Sequence, residues 1–123
     1  MPRFVLLLHV VPPGFRQETH YDLMLEHEGQ LLTWALAALP QADRNIAATQ
    51  LPDHRLAYLD YEGPVSGDRG EVRRVDEGTF DWIEQSESQV RVLLRGRNQT
   101  AALDLRCEAG NQWTARLDEL ASN

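Results

Sequence analysis

Cysteine is nearly absent: Cys107 is the single one in 123 residues. An internal disulfide is therefore excluded, and the fold must rest on buried apolar surface, which a chain of this length can supply. A lone thiol fits a reducing, cytoplasmic setting. Long hydrophobic runs are also missing. The run over residues 4–11 is broken by His9 and is too short for a membrane span or a signal peptide. No glycine-rich phosphate loop, CxxC pair or GxSxG elbow occurs, and no heptads, repeats or low-complexity linkers. Positive charge is scarce: 12 basic against 19 acidic residues leave a net charge of -7, so no broad basic face for nucleic acid is expected. The local clusters Arg73-Arg74 and Arg91, Arg95, Arg97 read as solvated strand edges.

What is present is turn chemistry, roughly every ten residues. Pro12-Pro13-Gly14, Glu28-Gly29, the glycines and prolines of residues 62–70, Asp76-Glu77-Gly78, Ser86-Glu87-Ser88, Gly96-Arg97-Asn98 and Ala109-Gly110-Asn111 punctuate the chain. Between them, strands are expected over residues 4–9, 20–27, 30–37, 71–75, 79–83, 90–94, 101–107 and 112–116. The alanine-rich residues 41–50 are expected to form an irregular crossover with a helical turn, covering one end of a barrel. Residues 51–55 read as a turn, and the tail from residue 117 as frayed or one helical turn. The fold expected is all-β: a compact single-domain barrel of about eight strands with little helix, spanning residues 1–123.

The functional reading is organised around His20-Tyr21-Asp22-Leu23-Met24-Leu25-Glu26. On a strand, Tyr21, Leu23 and Leu25 share one face, which reads as core. His20, Asp22, Met24 and Glu26 share the other, so an imidazole and a carboxylate are neighbours on one surface. That pairing begins a transition-metal or acid/base site. His9 and His54 stand, like His20, at strand ends or loop junctions, where a site at the mouth of a barrel would draw its residues. His27 falls on the opposite parity and reads as a surface histidine.

Several motifs then agree in order and spacing. Phe4-Val5 with His9, His20-Tyr21-Asp22-Leu23-x-Leu25-Glu26, Gly29-x-Leu31-x-x-Trp34-Ala35, Asp53-His54-x-Leu56-x-Tyr58, Tyr61-Glu62-Gly63 and Asp76-x-Gly78-Thr79-Phe80 resemble the 3'-phosphoesterase module of bacterial DNA ligase D. The resemblance covers residues 4–116, and HYDLxLE combined with DHxLxY is its specific part. It implies a β-barrel with a Mn²⁺-dependent site, Zn²⁺ being the alternative ion, that removes 3'-phosphate and 3'-terminal ribonucleotides from DNA ends. By the same resemblance the metal ligands are His9, Asp22 and His54, and the residues that contact the reacting phosphate are His20 and Tyr58. Two imidazoles and a carboxylate suit Mn²⁺, Zn²⁺ or Fe²⁺ rather than Ca²⁺. The implied partners are DNA or RNA/DNA 3' ends and other DNA repair proteins; a soluble monomer is expected.

The departures concern anion binding. Met24 stands where the family has arginine, Ala38 where it has lysine, and a second family arginine falls near Ile46. The chain starts at the first expected strand, without the family's N-terminal arm. Arg16, in the lengthened loop before His20, and Arg55, beside His54 where the family has proline, are the candidate substrate-binding cations. An alternative reading follows: a relative of low activity that binds metal or a partner.

Overall fold

Alternation of apolar and polar side chains makes each strand two-faced, and the faces separate two cores. The computed structural model describes residues 1–15 and 17–119. Nine strands follow in order: β1 (Arg3–Val10), β2 (His20–His27), β3 (Gln30–Leu36), β4 (Asn45–His54), β5 (Gly63–Pro64), β6 (Glu71–Gln85), β7 (Gln89–Gly96), β8 (Thr100–Ala109) and β9 (Gln112–Glu119). A 3₁₀ turn at Leu56–Leu59 is the helical element among the described residues. The antiparallel sheet runs β1-β2-β3-β4-β9-β8-β7-β6, and pairing of β1 with β6 closes it into an eight-stranded barrel, with β5 added on β6. This is the expected all-β barrel. No described helix is long and apolar enough to cross a membrane.

The interior is filled by inward residues of each strand, among them Phe4, Leu6, Leu23, Leu25, Phe80 and Leu103. Trp34 and Trp113 meet edge-on there, with ring centroids 5.6 Å apart. A second, smaller core lies on the outer wall. Val5, Leu7, Met24 and Leu31 have the opposite parity on their strands, Val72 joins them beyond the register shift where β6 pairs with Leu6 and Leu7, and Leu59 of the 3₁₀ turn packs over them. Residues 55–70 thus form a cover on one outer face of the barrel.

Four local expectations are corrected. The alanine-rich segment is neither crossover nor helical turn but most of β4, paired with β3 on one side and β9 on the other. Pairing on both edges overrides alanine's weak strand preference, and the small Ala48 lies opposite the bulky Trp113. Residues 51–54, read as a turn, end the same strand. Asp76-Glu77-Gly78 is not a tight turn but the middle of β6, where the strand has β1 on one side and meets β7 on the other. Gly78 is required by that crossing: a Cβ there would lie 1.9 Å from the Arg95 carbonyl oxygen. The Asp76 carboxylate, a typical turn group, instead accepts from the backbone N–H of Arg97 at 2.8 Å. Finally, β9 continues through residue 119; the rest of the expected frayed tail lies outside the described residues.

Candidate metal centre

β1 and β2 pair so that His9 faces His20 and Leu7 faces Asp22. Parity puts His9, His20 and Asp22 on the outer wall, next to the smaller core. The imidazoles approach with ring centroids 4.8 Å apart. His9 Nδ1 lies 3.4 Å from Asp22 Oδ2, and His20 Nε2 lies 3.0 Å from Asp22 Oδ1. One ligand atom from each residue falls within 4.8 Å of the others, so the three form a candidate metal-binding cluster.

The far side of each ring decides its tautomer. His9 Nε2 is 2.9 Å from the Arg69 carbonyl, His20 Nδ1 is 2.7 Å from the Glu18 carbonyl, and His54 Nδ1 is 2.9 Å from the Pro52 carbonyl. A carbonyl only accepts, so each of those nitrogens donates. In the neutral ring the other nitrogen then carries a lone pair. For His9 and His20 that lone pair is directed toward Asp22. The carboxylate is 4% exposed, and its Oδ1 receives no well-aligned hydrogen bond despite the nearby imidazole. Two lone pairs and a buried, under-satisfied carboxylate converge where a cation would satisfy all three, so the donor set fits a divalent transition ion.

Electrostatics within the cluster follow from burial and contact. Burial alone would pull the His20 pKa down, but the adjacent Asp22 carboxylate outweighs it and holds it above the usual value. Burial would raise Asp22, yet His20 and His9 together hold it below the ordinary carboxylate range. His20 therefore keeps a proton more readily than a solvated histidine.

The cluster opens into a cavity of about 130 Å³, lined also by His54, Tyr58, Met24, Gln17 and Arg69. His54 and Tyr58 meet edge-on across it, with centroids 5.5 Å apart. Met24 forms part of its floor and is 1% exposed. His9, His20, Asp22, His54 and Tyr58 thus share one cavity. Arg55 does not line it; it borders a neighbouring cavity of about 250 Å³ with Tyr58 and Tyr61. Arg16 lies outside the described residues. His27 sits at the far end of β2, its ring edge-on to Trp82.

The location corrects the expectation of a site at the barrel mouth. The cavity where the barrel interior opens, about 110 Å³, is bordered by Phe4, Leu6, Leu23 and Leu117 and by no histidine. The polar site is on the outer wall because the interior parity is taken up by the main core. Arg69 is the functional candidate that sequence reasoning missed. Its guanidinium is turned onto its own loop, donating to the Ser66 carbonyl at 2.8 Å and to Ser66 Oγ at 3.2 Å. Its position in a Ser-Gly-Asp-Arg-Gly loop was visible in sequence, but the docking of that loop against β1 was not.

A closed antiparallel barrel with two carbonyl-anchored imidazoles and a buried carboxylate on its outer wall defines an all-β protein with a candidate metal centre. The family is fixed by comparison: the chain belongs to the DNA Ligase D 3'-phosphoesterase domain family, which matches residues 15–109. It is 30% identical over 115 residues to the multifunctional non-homologous end joining protein LigD of Mycobacterium bovis, covering 86% of this chain and 15% of that protein. The non-homologous end joining DNA repair protein LigD of Mycobacterium tuberculosis gives the same identity and coverage. LigD of Pseudomonas aeruginosa is 37% identical over 62 residues, 49% of this chain and 7% of its own. The chain thus spans only a small part of the length of these relatives.

Proposed function

We propose that this domain hydrolyses phosphoester bonds at 3' ends of DNA, removing a 3'-phosphate or a 3'-terminal ribonucleotide, with Mn²⁺ (or Zn²⁺) held by His9, Asp22 and His54. The observation that carries the reading is the anchoring of three histidines by backbone carbonyls around one cavity. Metal-ligating histidines are oriented in this way, with the second ring nitrogen donating to an outer acceptor. His9 and Asp22 sit side by side, and His54 Nε2 is left free by the Pro52 contact. The geometry groups His20 with His9 and Asp22; following the family resemblance, His20 is assigned the proton-transfer role and His54, on the same cavity, the third ligand position. Tyr58 presents its ring between His54 and the neighbouring cavity, where its hydroxyl is suited to hydrogen-bond a phosphate oxygen. Arg69 takes the role first sought in Arg16 and Arg55, a cation within reach of the reacting phosphate. When bound, the ion supplies a Lewis acid for a phosphoryl oxygen.

The test is a Mn²⁺ titration by calorimetry, followed by an assay on primers ending in 3'-phosphate or a 3'-ribonucleotide. Asp22→Asn, His9→Ala and His54→Ala are expected to lose more Mn²⁺ affinity than the ~10–100-fold typical of removing an outer hydrogen-bond partner. His20→Gln is expected to keep Mn²⁺ binding and to lose ~10²–10⁴-fold in rate, the usual contribution of a general acid or base. One observation favours a second reading, a binding module of low activity: apolar Met24 occupies the cavity floor where the resemblance implies arginine. Metal-loaded wild type that releases no phosphate from either primer would establish that reading instead.

A further inference from the structure

The cavity beside the candidate metal centre is about 250 Å³ and is bordered by Arg55, Tyr58, Tyr61, Pro64, Val65 and Ser66. Tyr58 and Val65 also line the metal-centre cavity, so the two spaces share a wall. Aromatic rings connect them: His54 to Tyr58 at 5.5 Å, then Tyr58 to Tyr61 at 5.9 Å, both edge-on. Tyr61 is 38% exposed, yet its ring is held in place. Its hydroxyl donates to the Pro64 carbonyl, and the ring lies over Gly63, where a Cβ would meet the hydroxyl oxygen at 3.4 Å. A tyrosine that is held in place and still partly exposed offers a stacking surface whose ordering cost is already met in the free protein. Arg55 has no carboxylate within ion-pair distance among the described residues, so its guanidinium is free to meet an anion.

We propose that this cavity receives the base of the nucleotide whose phosphate lies at the His9–His20–Asp22 cluster, with Tyr61 as stacking partner and Arg55 meeting the flanking backbone. The inference rests on the phosphoesterase reading and adds a nucleoside subsite to it. A phosphate alone would need only the metal-side cavity. Recognition by stacking is tolerant of sequence, since every base has a π-face, and suits a domain that meets strand ends of any sequence.

The experiment compares two Mn²⁺-loaded binding titrations on oligonucleotides ending in 3'-phosphate. One carries a normal terminal base and the other an abasic terminal sugar. Wild type is expected to bind the normal end about tenfold more tightly, within the range of one base–aromatic stack. Tyr61→Leu should erase that difference, while Tyr61→Phe should keep it. Arg55→Gln should weaken both ends equally. Equal wild-type affinity for the two ends overturns the subsite and leaves the phosphoesterase reading intact. Failure of wild type to bind either end overturns both. A base-dependent difference that survives Tyr61→Leu also overturns the assignment, since the base would then be held elsewhere.

Discussion

At the scale of single residues, the site is made by what lies behind each functional group. The carbonyls of Arg69, Glu18 and Pro52 fix three imidazoles, and none of these carbonyls depends on a side chain's identity. That separates the two roles of Arg69. Its backbone orients His9 and survives substitution, whereas its guanidinium, turned onto Ser66 in the free protein, is the cation proposed to swing to the phosphate. Arg69→Ala is therefore expected to weaken binding of a 3'-phosphate end by about tenfold or more, as a charge-assisted contact worth ~1.5–3 kcal/mol implies. Mn²⁺ affinity, followed by calorimetry, should change little; a parallel loss of Mn²⁺ would mean that the side chain acts by holding the loop. Met24 yields the opposite lesson. Resemblance makes it look like a missing arginine, but it is buried against Val5, Leu7, Leu31, Leu59 and Val72. Met24→Arg is expected to lose stability, about 1–3 kcal/mol for overpacking with the cost of burying a charge in addition, and to gain no activity. Urea denaturation and the primer assay check this; a stable variant with faster phosphate release would contradict it. The pairing of His20 with Asp22 was legible in sequence because period-two alternation is local; the candidate roles of His9, His54 and Tyr58 came from the family resemblance. Arg69 was not legible, because its place depends on a loop reaching a strand end some sixty residues earlier.

At the scale of elements, the site is the junction of the β1 end, the β2 start and the loop between β5 and β6. Val10 pairs with Glu71, and Gly70 precedes that pair in a left-handed conformation with φ of 92°. A Cβ at residue 70 would lie 1.8 Å from the Val10 carbonyl oxygen. Gly70→Ala must therefore move the backbone that carries the Arg69 carbonyl, the acceptor for His9. The backbone strain alone is of order 1–3 kcal/mol, with the displaced contact added. The expected outcome is a lower melting temperature together with weaker Mn²⁺ binding, whereas Gly14→Ala, which carries similar backbone strain at φ of 96° but has no atom within 4 Å of a Cβ, should lower stability and leave Mn²⁺ binding unchanged. Equal Mn²⁺ affinity in wild type and Gly70→Ala would break the proposed link between loop and ligand. The hairpin at Glu28-Gly29, with φ of 51° and 80°, was readable because turn chemistry is local. β4 and the centre of β6 were misread for the converse reason. Alanines and an Asp-Glu-Gly triplet have weak or contrary local preferences, and pairing with distant strands on both sides decides their conformation.

At the scale of the whole molecule, the question is how a chain of net charge -7 meets a polyanion. Most described arginines are neutralised where they stand, as in Arg91–Asp118 at 2.9 Å, Arg106–Asp104 at 2.7 Å and Arg3–Asp60 at 2.9 Å. Their role is to balance strand-edge carboxylates, and they leave no basic track along the barrel. Arg55 and Arg69 differ: neither is within ion-pair distance of a carboxylate among the described residues, and both border the adjoining cavities. On the proposed function, attraction for nucleic acid is thus local to the strand end and absent from the duplex. Each phosphate neutralised contributes a slope of about -0.7 to -0.9 in log affinity against log salt. Two cations predict a slope of roughly -1.4 to -1.8, with Arg16 able to add one further increment. Affinity for a 3'-phosphate primer should fall only about tenfold between 50 and 200 mM salt, against the 10³–10⁵-fold of proteins making six to ten phosphate contacts. Lengthening the duplex behind the end should not tighten binding. A slope steeper than about -4, or affinity that grows with duplex length, would require a basic surface that the paired arginines do not supply. The reading of this domain as one that grips the end of a strand and not its length would then fail.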